Sequence, residues 1–517
     1  MAKFPSESRR SGRLARMVVF AAAAAVSMAA VSQARADVTD QLLDQLRAKG
    51  VLTHGEYSKL KSRHAAEKAE MGRPYSRHYS KDGVVVVPDD RYLTRLDKGI
   101  GFHIPGLITK EGEVGAIDVK ISGDLIFGGV EDFQQKTSGS AIGGGIVGAT
   151  TGASKVNAEN NITVGLLPSA IVLSIATNQM GYDLGFTIGA YTGGDNVTGV
   201  GGANSAGNAQ ALGSPGIDLR QVFGTVGTPT FGSVKIGRDL GLFGSDAILN
   251  DATLLGFGTT PTISQNSNTT LGRIGVGYVY ADWIPQVTYT TPDFNGFTAS
   301  LGAFAPYNAT NSLADPLGGP GLLIHESEAP EVQAQIKWKG VIAPGANLTV
   351  SGDGVWQEHK ADIGDSAFLA PGAAIESWGV DGFAKLDIDG FSFVAYGYYG
   401  KGLGTTGLFL NGFDFAGDPR TSFGGYGQAS YTWDKFTFGA SFGVSALNLT
   451  GAEDTGAYYA TVSQYLVKDN ESIIGFARYQ LTPWMALQAE YGHSWSINQS
   501  GGKISVDDIA FGTAWFF

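Results

Sequence analysis

From residue 117 onward, apolar and polar side chains alternate with a period of two. Ile117, Val119, Ile121, Leu125 and Phe127 alternate with Asp118, Lys120, Ser122 and Asp124. Val332, Ala334, Ile336 and Trp338 alternate with Gln333, Gln335 and Lys337. The same rhythm runs through Phe436, Phe438, Ala440, Phe442 and Val444, and through Met485, Leu487, Ala489 and Tyr491. Successive strand side chains point to opposite sides, so each segment is a strand with one greasy and one small or polar face. Strands of about ten residues with this pattern are the signature of a transmembrane β-barrel. The alternation predicts an all-β chain of sixteen antiparallel strands, the first at 117–127 and the last at 506–517. Segment 457–467 reads either as another strand or as a loop element, which leaves 18 strands open. A barrel of this size encloses an aqueous channel rather than a filled core. Its inward row then includes Asp118, Lys120, Asp124, Lys337, Arg478 and Glu490 as pore-lining charges.

Connections alternate in length. Tight turns fall at Asp389-Gly390, Asp434-Lys435 and Thr482-Pro483-Trp484. Long stretches rich in Gly, Asn, Ser and Thr fall near 129–160, 193–215, 305–328, 402–420 and 448–470. Short turns on one side and long loops on the other fit a barrel of the bacterial outer membrane. The final strand supports this. Phe517, Trp515, Thr513, Phe511 and Ile509 form its apolar face, and the chain stops on the aromatic.

The front of the chain follows different rules. Lys3, Arg9, Arg10, Arg13 and Arg16 precede an apolar stretch from Met17 to Val31, then Ala34-Arg35-Ala36. These are the parts of a secretory signal peptide over 1–36. The apolar stretch is shorter than the roughly 20 residues a helical span needs. Residues 37–71 read as a helical hairpin. Leu42, Leu43 and Leu46 share a face, Gly50 ends the first helix, and Thr53-His54-Gly55-Glu56 is a capping box for the second. The hairpin is either an oligomerisation segment or a solvated periplasmic appendage. Residues 72–98 read as a linker, and 99–517 as the barrel.

Composition excludes several functions. With no Cys there is no disulfide framework and no thiolate metal site. There is no HExxH, no P-loop and only seven His, so metal and nucleotide chemistry have nothing to rest on and no cofactor is expected. Nothing in the chain points to nucleic acid. The first 98 residues hold 18 Lys+Arg against 11 Asp+Glu, so 99–517 carries −19 of a chain total of −12. That acid is either ordinary loop charge or a pore field that favours cations.

Leu219-Arg220-Gln221-Val222-Phe223-Gly224, followed by Phe231-Gly232-Ser233-Val234-Lys235-Ile236-Gly237-Arg238, resembles the general porin family of Gram-negative bacteria. Gln286-Val287-Thr288-Tyr289-Thr290-Thr291-Pro292-Asp293-Phe294-Asn295-Gly296-Phe297 is similar to a hairpin of the same family. The resemblance is specific over 117–127 and 217–297 and rests on pattern elsewhere. It implies a 16-stranded homotrimer in contact with outer-membrane lipid and lipopolysaccharide, with Phe517 read by the assembly machinery. It implies passage of ions and small hydrophilic solutes, and a third loop, 238–270, folded into the lumen. On that loop, Asp246 and Asp251 stand in for the family's acidic residues. Arg238, Arg220 and Arg273 are expected to face them across the constriction. Strict alternation would place Arg238 in lipid with Val234 and Ile236, so a bulge at Gly237 is expected to turn it inward.

Other functions have less to draw on. His493-Ser494 is similar to the His and Ser of outer-membrane phospholipase, without its surrounding motif, and suits an interfacial girdle near Trp495. Tyr396, Tyr398, Phe304 and Tyr426 are expected to face the lumen, as a slide for sugars or as barrel filling and loop anchors. The two functions left are a general diffusion pore and a substrate-selective channel.

Overall fold

A computed structural model describes residues 47, 57, 58, 61, 100–104, 107–109, 112–114, 116–137, 142–147, 159–165, 169–192, 217–257, 271–311, 323–324, 327–362, 369–455, 462 and 464–517. The signal peptide, the linker and nearly all of the helical hairpin lie outside the described residues.

Sixteen strands close into one barrel. The first eight are β1 Ile117–Thr137, β2 Ser169–Gln179, β3 Tyr182–Thr192, β4 Ile217–Thr228, β5 Gly232–Leu240, β6 Trp283–Thr290, β7 Phe297–Phe304 and β8 Glu331–Ala343. The rest are β9 Ala346–Lys360, β10 Ala374–Ile388, β11 Phe391–Lys401, β12 Thr421–Trp433, β13 Phe436–Asn448, β14 Val467–Thr482, β15 Met485–Asn498 and β16 Lys503–Phe516. Each pairs antiparallel with its sequence neighbours, and β16 pairs back onto β1. Closure leaves no strand edge for lipid to solvate, which is why a membrane tolerates it. Residues 462, 464 and 465 are helical, and β14 begins at Val467, so 457–467 adds no strand among the described residues.

The seam uses both ends of the chain. Phe517 N donates to Gly123 O at 3.1 Å, and Gly123 N donates to Phe517 O at 3.0 Å. Beyond that point a short strand, Ile100–Ile104, takes the place of β16 and pairs with β1 from Ile104↔Ile117 to Ile100↔Ile121. On the other side of β1, Glu159–Val164 and β2 together make the neighbouring strand.

The two faces differ as the alternation requires. Ile236, Leu301, Ile336 and Phe511 are each more than half exposed on the outside, which only lipid would make favourable. Aromatic rings ring the short-turn end: Phe231 against Tyr289, Phe297 against Trp338, Phe391 against Tyr431, Phe436 against Tyr479 and Trp484 against Phe517. Trp378 with Tyr399 and His493 with Trp495 mark the opposite end. These are the two interfacial girdles of such barrels.

The inside is not simply open. Phe243, Ala247, Ile248, Tyr278 and Val279 of loop 3 (241–282) pack with Tyr396, Tyr398 and Tyr426 of the wall and with Leu403, Phe409 and Phe413 of loop 6 (402–420). Ala309 and Ile324 of loop 4 (305–330) join them. Loop 1 contributes Ile142, Ile146 and Val147 to another cluster with Val276, Phe415 and Leu466. The long loops thus build a hydrophobic core of their own inside the barrel mouth. Among the described residues, loop side chains line the inside of the barrel mouth, with loop 3 folded inward as expected.

Candidate functional site

The described part of loop 3, 241–257 and 271–282, lies along the inner wall between β5 and β6. A short helix, α1 (Ser245–Leu249), and a 3-10 turn at Ala252–Leu255 shape it. Wall side chains hold its backbone at intervals. Gln333 Oε1 accepts Leu242 N at 2.6 Å and Phe243 N at 2.9 Å. Asp381 Oδ2 accepts Gly244 N at 3.0 Å and the Tyr396 hydroxyl at 3.0 Å. Gln428 accepts Ala252 N at 2.8 Å and donates to Asn250 O at 2.7 Å, and Glu490 Oε2 accepts Phe257 N at 2.8 Å. A glutamine amide offers the donor and acceptor of a peptide group, so it stands in for a missing strand neighbour. At the far end, Leu255 and Phe257 pack with Ile126 of β1 and Ala510 and Phe516 of β16.

The predicted constriction residues separate into three groups. Asp246, on α1, pairs with Lys337 of β8 and accepts Ser351 Oγ of β9 at 2.8 Å. It faces the wall across the loop, though its partner is a lysine and not one of the three arginines. Asp251 is buried. It caps the 3-10 turn through Thr253 N at 2.8 Å and accepts Arg273 N at 3.1 Å and the Tyr278 hydroxyl at 2.9 Å. Burial raises its carboxyl above the ordinary range, against the opposing pull of Arg273. Arg273 is not a wall residue. It sits on loop 3 and reaches outward to β13 and β14, donating to Ser441 Oγ at 2.9 Å, to Ser441 O, and to Ser472 O at 2.9 Å. Burial lowers its guanidinium to about 10, with Asp251 pulling the other way.

Arg220 and Arg238 part company. Arg220 is inward. It donates to Asp218 at 3.1 Å and lies 5.3 Å over the Tyr191 ring. A bulge beside it breaks the β3–β4 register, so Arg220 and Gln221 are both buried. Arg238 does not turn inward. The register runs unbroken through Gly237, setting Arg238 opposite Val222 and Pro285. Cross-strand partners share a face, and both of these are on the exposed outer side. Gly237 adopts φ 129, and a Cβ there would collide with Val222 O and lie 2.7 Å from Phe223 Cα; the bulge forms one strand away instead.

Several predicted pore-lining charges are used to anchor the loop. Lys337 holds Asp246. Arg478 donates to Ala252 O and to Gln488 at 2.8 Å, and Glu490 holds Phe257. Asp124 is buried beside the seam, whereas Asp118 and Lys120 remain half-buried on the inward row. The aromatic positions are anchors: Tyr426 donates to Ala247 O at 2.7 Å, and Tyr278 stands edge-on to Tyr396 and Tyr426. Lys235 and Asp239, paired on the inner face of β5, and Gln333, Gln428 and Asp381 were not singled out by sequence. Alternation places them inward, but nothing in the pattern says which inward side chain meets a loop. His493 and Ser494 lie on opposite faces of β15. His493 bonds Asp507 at 3.0 Å beside Trp495, while Ser494 is buried inside.

No family model matches the sequence, and no curated protein matches it. Solved structures do match. The outer membrane channel DcaP of Acinetobacter baumannii superposes with a TM-score of 0.54 at 13% identity, over 80% of this chain and 100% of that one. Further matches are OmpF of Salmonella typhi in complex with daunomycin (TM-score 0.43, 14% identity, 77% of this chain and 98% of that one) and OprB of Pseudomonas putida (TM-score 0.41, 12% identity, 77% and 94%). At such identities the shared property is the fold, and the first match carries it. The chain has the fold of an outer-membrane channel.

Proposed function

We propose that this chain is an outer-membrane porin that passes ions and small hydrophilic solutes down their gradients, without energy input. The observation that carries the reading is the closed barrel with an apolar outside, a polar inside and a long loop fastened to its inner wall. We place it in the outer membrane of a Gram-negative bacterium as a homotrimer in contact with lipopolysaccharide. Catalysis is disfavoured because His493 and Ser494 are split between the two faces of β15. The test is reconstitution of the purified protein into planar bilayers. Stepwise ohmic conductance is expected, with heat-modifiable trimers in the outer-membrane fraction. Recovery as a soluble periplasmic monomer overturns the proposal.

A second reading, a substrate-selective channel, draws on the packing of loops 1, 3, 4 and 6 into the mouth. Wall charges bound to those loops are withdrawn from the water path. Half-buried Lys120 and Lys235, with buried Arg220, lie on the inner side of β1, β5 and β4. Liposome swelling separates the readings. A diffusion pore admits uncharged sugars in simple order of size. A selective channel discriminates among solutes of one size by charge or shape.

A further inference from the structure

His359 lies near the end of β9, inward and fully buried. Trp356, three residues earlier, pairs with Trp378 of the outer girdle. The imidazole therefore stands about 10 Å further out along the strand, beyond the hydrocarbon. Two outer loops meet there. Gln357 holds loop 4: its Oε1 accepts Tyr307 N at 2.9 Å, and its Nε2 donates to Tyr307 O at 2.6 Å. That pairing fixes which way the amide points. The same Nε2 donates to His359 Nδ1 at 2.9 Å, so Nδ1 is the unprotonated, accepting nitrogen. His359 Nε2 then carries the proton and donates to Ser377 Oγ of β10 at 2.9 Å, and Ser377 Oγ donates on to Gln357 O at 3.3 Å. Loop 6 covers the ring. Phe409 and Phe413 stand edge-on to it, with centroids at 4.7 and 5.5 Å. A Cβ on Gly402 would lie 2.7 Å from the Phe413 ring and 2.9 Å from Ser377 Cβ, so loop 6 sits directly on the wall. The two loops are joined as well, since Asn411 N donates to Thr310 O at 2.7 Å.

Among the described residues, no charged group bonds the ring. On β9, Lys360 pairs with Glu328, and Glu358 is opposite Glu376 of β10 on the outer side. Glu331 of β8 accepts from Gln333. Tyr307 of loop 4 approaches with its backbone. On loop 6, Asp414 accepts Thr450 Oγ1 at 2.8 Å, and Arg420 is held by Glu453. We propose that His359 is an acid-sensitive latch: a proton on its Nδ1 frees loops 4 and 6 from the wall and widens the outer mouth of the channel. This rests on the channel reading above. A protonated Nδ1 sets an N–H against the N–H of Gln357. The acceptor within its reach is Tyr307 O, which Gln357 already holds, so the charged ring displaces the amide that anchors loop 4. The charge would also sit between Phe409 and Phe413 in a fully buried site, where an ion is costly. Burial pushes the imidazole down to about 4. Because the folded value lies below the ordinary 6.5, the latch's contribution is complete above 6.5 and is lost as pH falls from there to about 4.

The test uses the full chain in planar bilayers with potassium chloride, lowering pH from about 7 to about 4. The height of single-channel steps is read, not their lifetime. The wild type should show larger steps on acidification, reversibly, with a midpoint below the ordinary imidazole value. His359→Gln keeps an acceptor for Gln357 and a donor for Ser377 but cannot titrate, so its step height should not change with pH. Gln357→Glu places a carboxylate beside the ring and should move the midpoint up by about 1–3 pH units. This second variant keeps the test alive if His359→Gln fails to fold. A His359→Gln profile like that of the wild type overturns the latch, as does an unmoved midpoint in Gln357→Glu. So does a fall in step height on acidification, which would mean that the loops close the mouth. If steps at neutral pH are unaltered by acid, the latch alone fails; if no steps appear at any pH, the channel reading itself fails.

Discussion

At the seam of the barrel, Gly123 leaves room for the terminal ring. A Cβ there would lie 2.5 Å from the Phe517 ring and 2.7 Å from Ala170 O. Gly123→Val should cost about 1–3 kcal/mol of overpacking where β16 docks on β1, and the heat-resistant folded band should be reduced on gels. Lys337 and Asp246 are a second local test. Both are largely buried, so removing one leaves an uncompensated charge, at about 3–5 kcal/mol. Lys337→Met should destabilise loop 3 more than the double variant Lys337→Met/Asp246→Asn, read as excess noise in single-channel records. Equal effects would show that the pair does not couple loop to wall. The arginines make a third test. Arg238→Ser should leave the reversal potential unmoved, because its register faces outward. Arg220→Ser should shift it toward cations, because Arg220 faces the lumen. An Arg238 variant with altered selectivity would disprove the outward assignment.

Loop 3 is the element that wall side chains hold inside the barrel, and its stability carries a pH dependence. Burial raises the Asp251 carboxyl, so the folded loop binds its proton more tightly than the unfolded chain does. With a raised folded value, this residue's contribution is fully present below the unfolded value near 3.8 and is lost as pH rises through the folded one. Acidification from neutral should therefore steady the loop rather than loosen it. Asp251→Asn should flatten that dependence, seen as a pH-independent closing rate in bilayers over the same window. A variant that keeps the wild-type profile would assign the effect to another group. The loop was recognisable in sequence from its place after the Gly-Arg strand end. Its attachments were not, because Gln333, Asp381, Gln428 and Glu490 come from four different strands that only closure brings around it.

On the scale of the molecule, sixteen hairpin-connected strands must end by joining β16 to β1. Removing Phe517 deletes two backbone hydrogen bonds to Gly123 and the ring that packs against Trp484. The yield of folded, membrane-inserted protein should fall, while the conductance of whatever assembles should stay near that of the wild type. Normal yield after truncation would show that the terminal residue is dispensable to closure.

Sequence alone indicated sixteen strands, with eighteen left open, their order, and which row of most of them turns to lipid. These follow from a local rule: side chains alternate, and a lipid-facing row must be apolar at each second position. Ile236 and Phe511 announce their faces without knowing their neighbours. Tertiary structure decided what the inward row does. Lys337, Arg478 and Glu490 grip a loop from the inner wall, and Arg273 reaches the wall from the loop side. Arg238 was misplaced because one glycine can carry either a bulge or an unbroken register. The choice depends on the strand opposite, where the bulge fell at Arg220 and Gln221. Polar side chains at inward positions look alike along the chain. Their roles differ only by which of them meets another segment, and that is fixed when the barrel closes and its loops fold in.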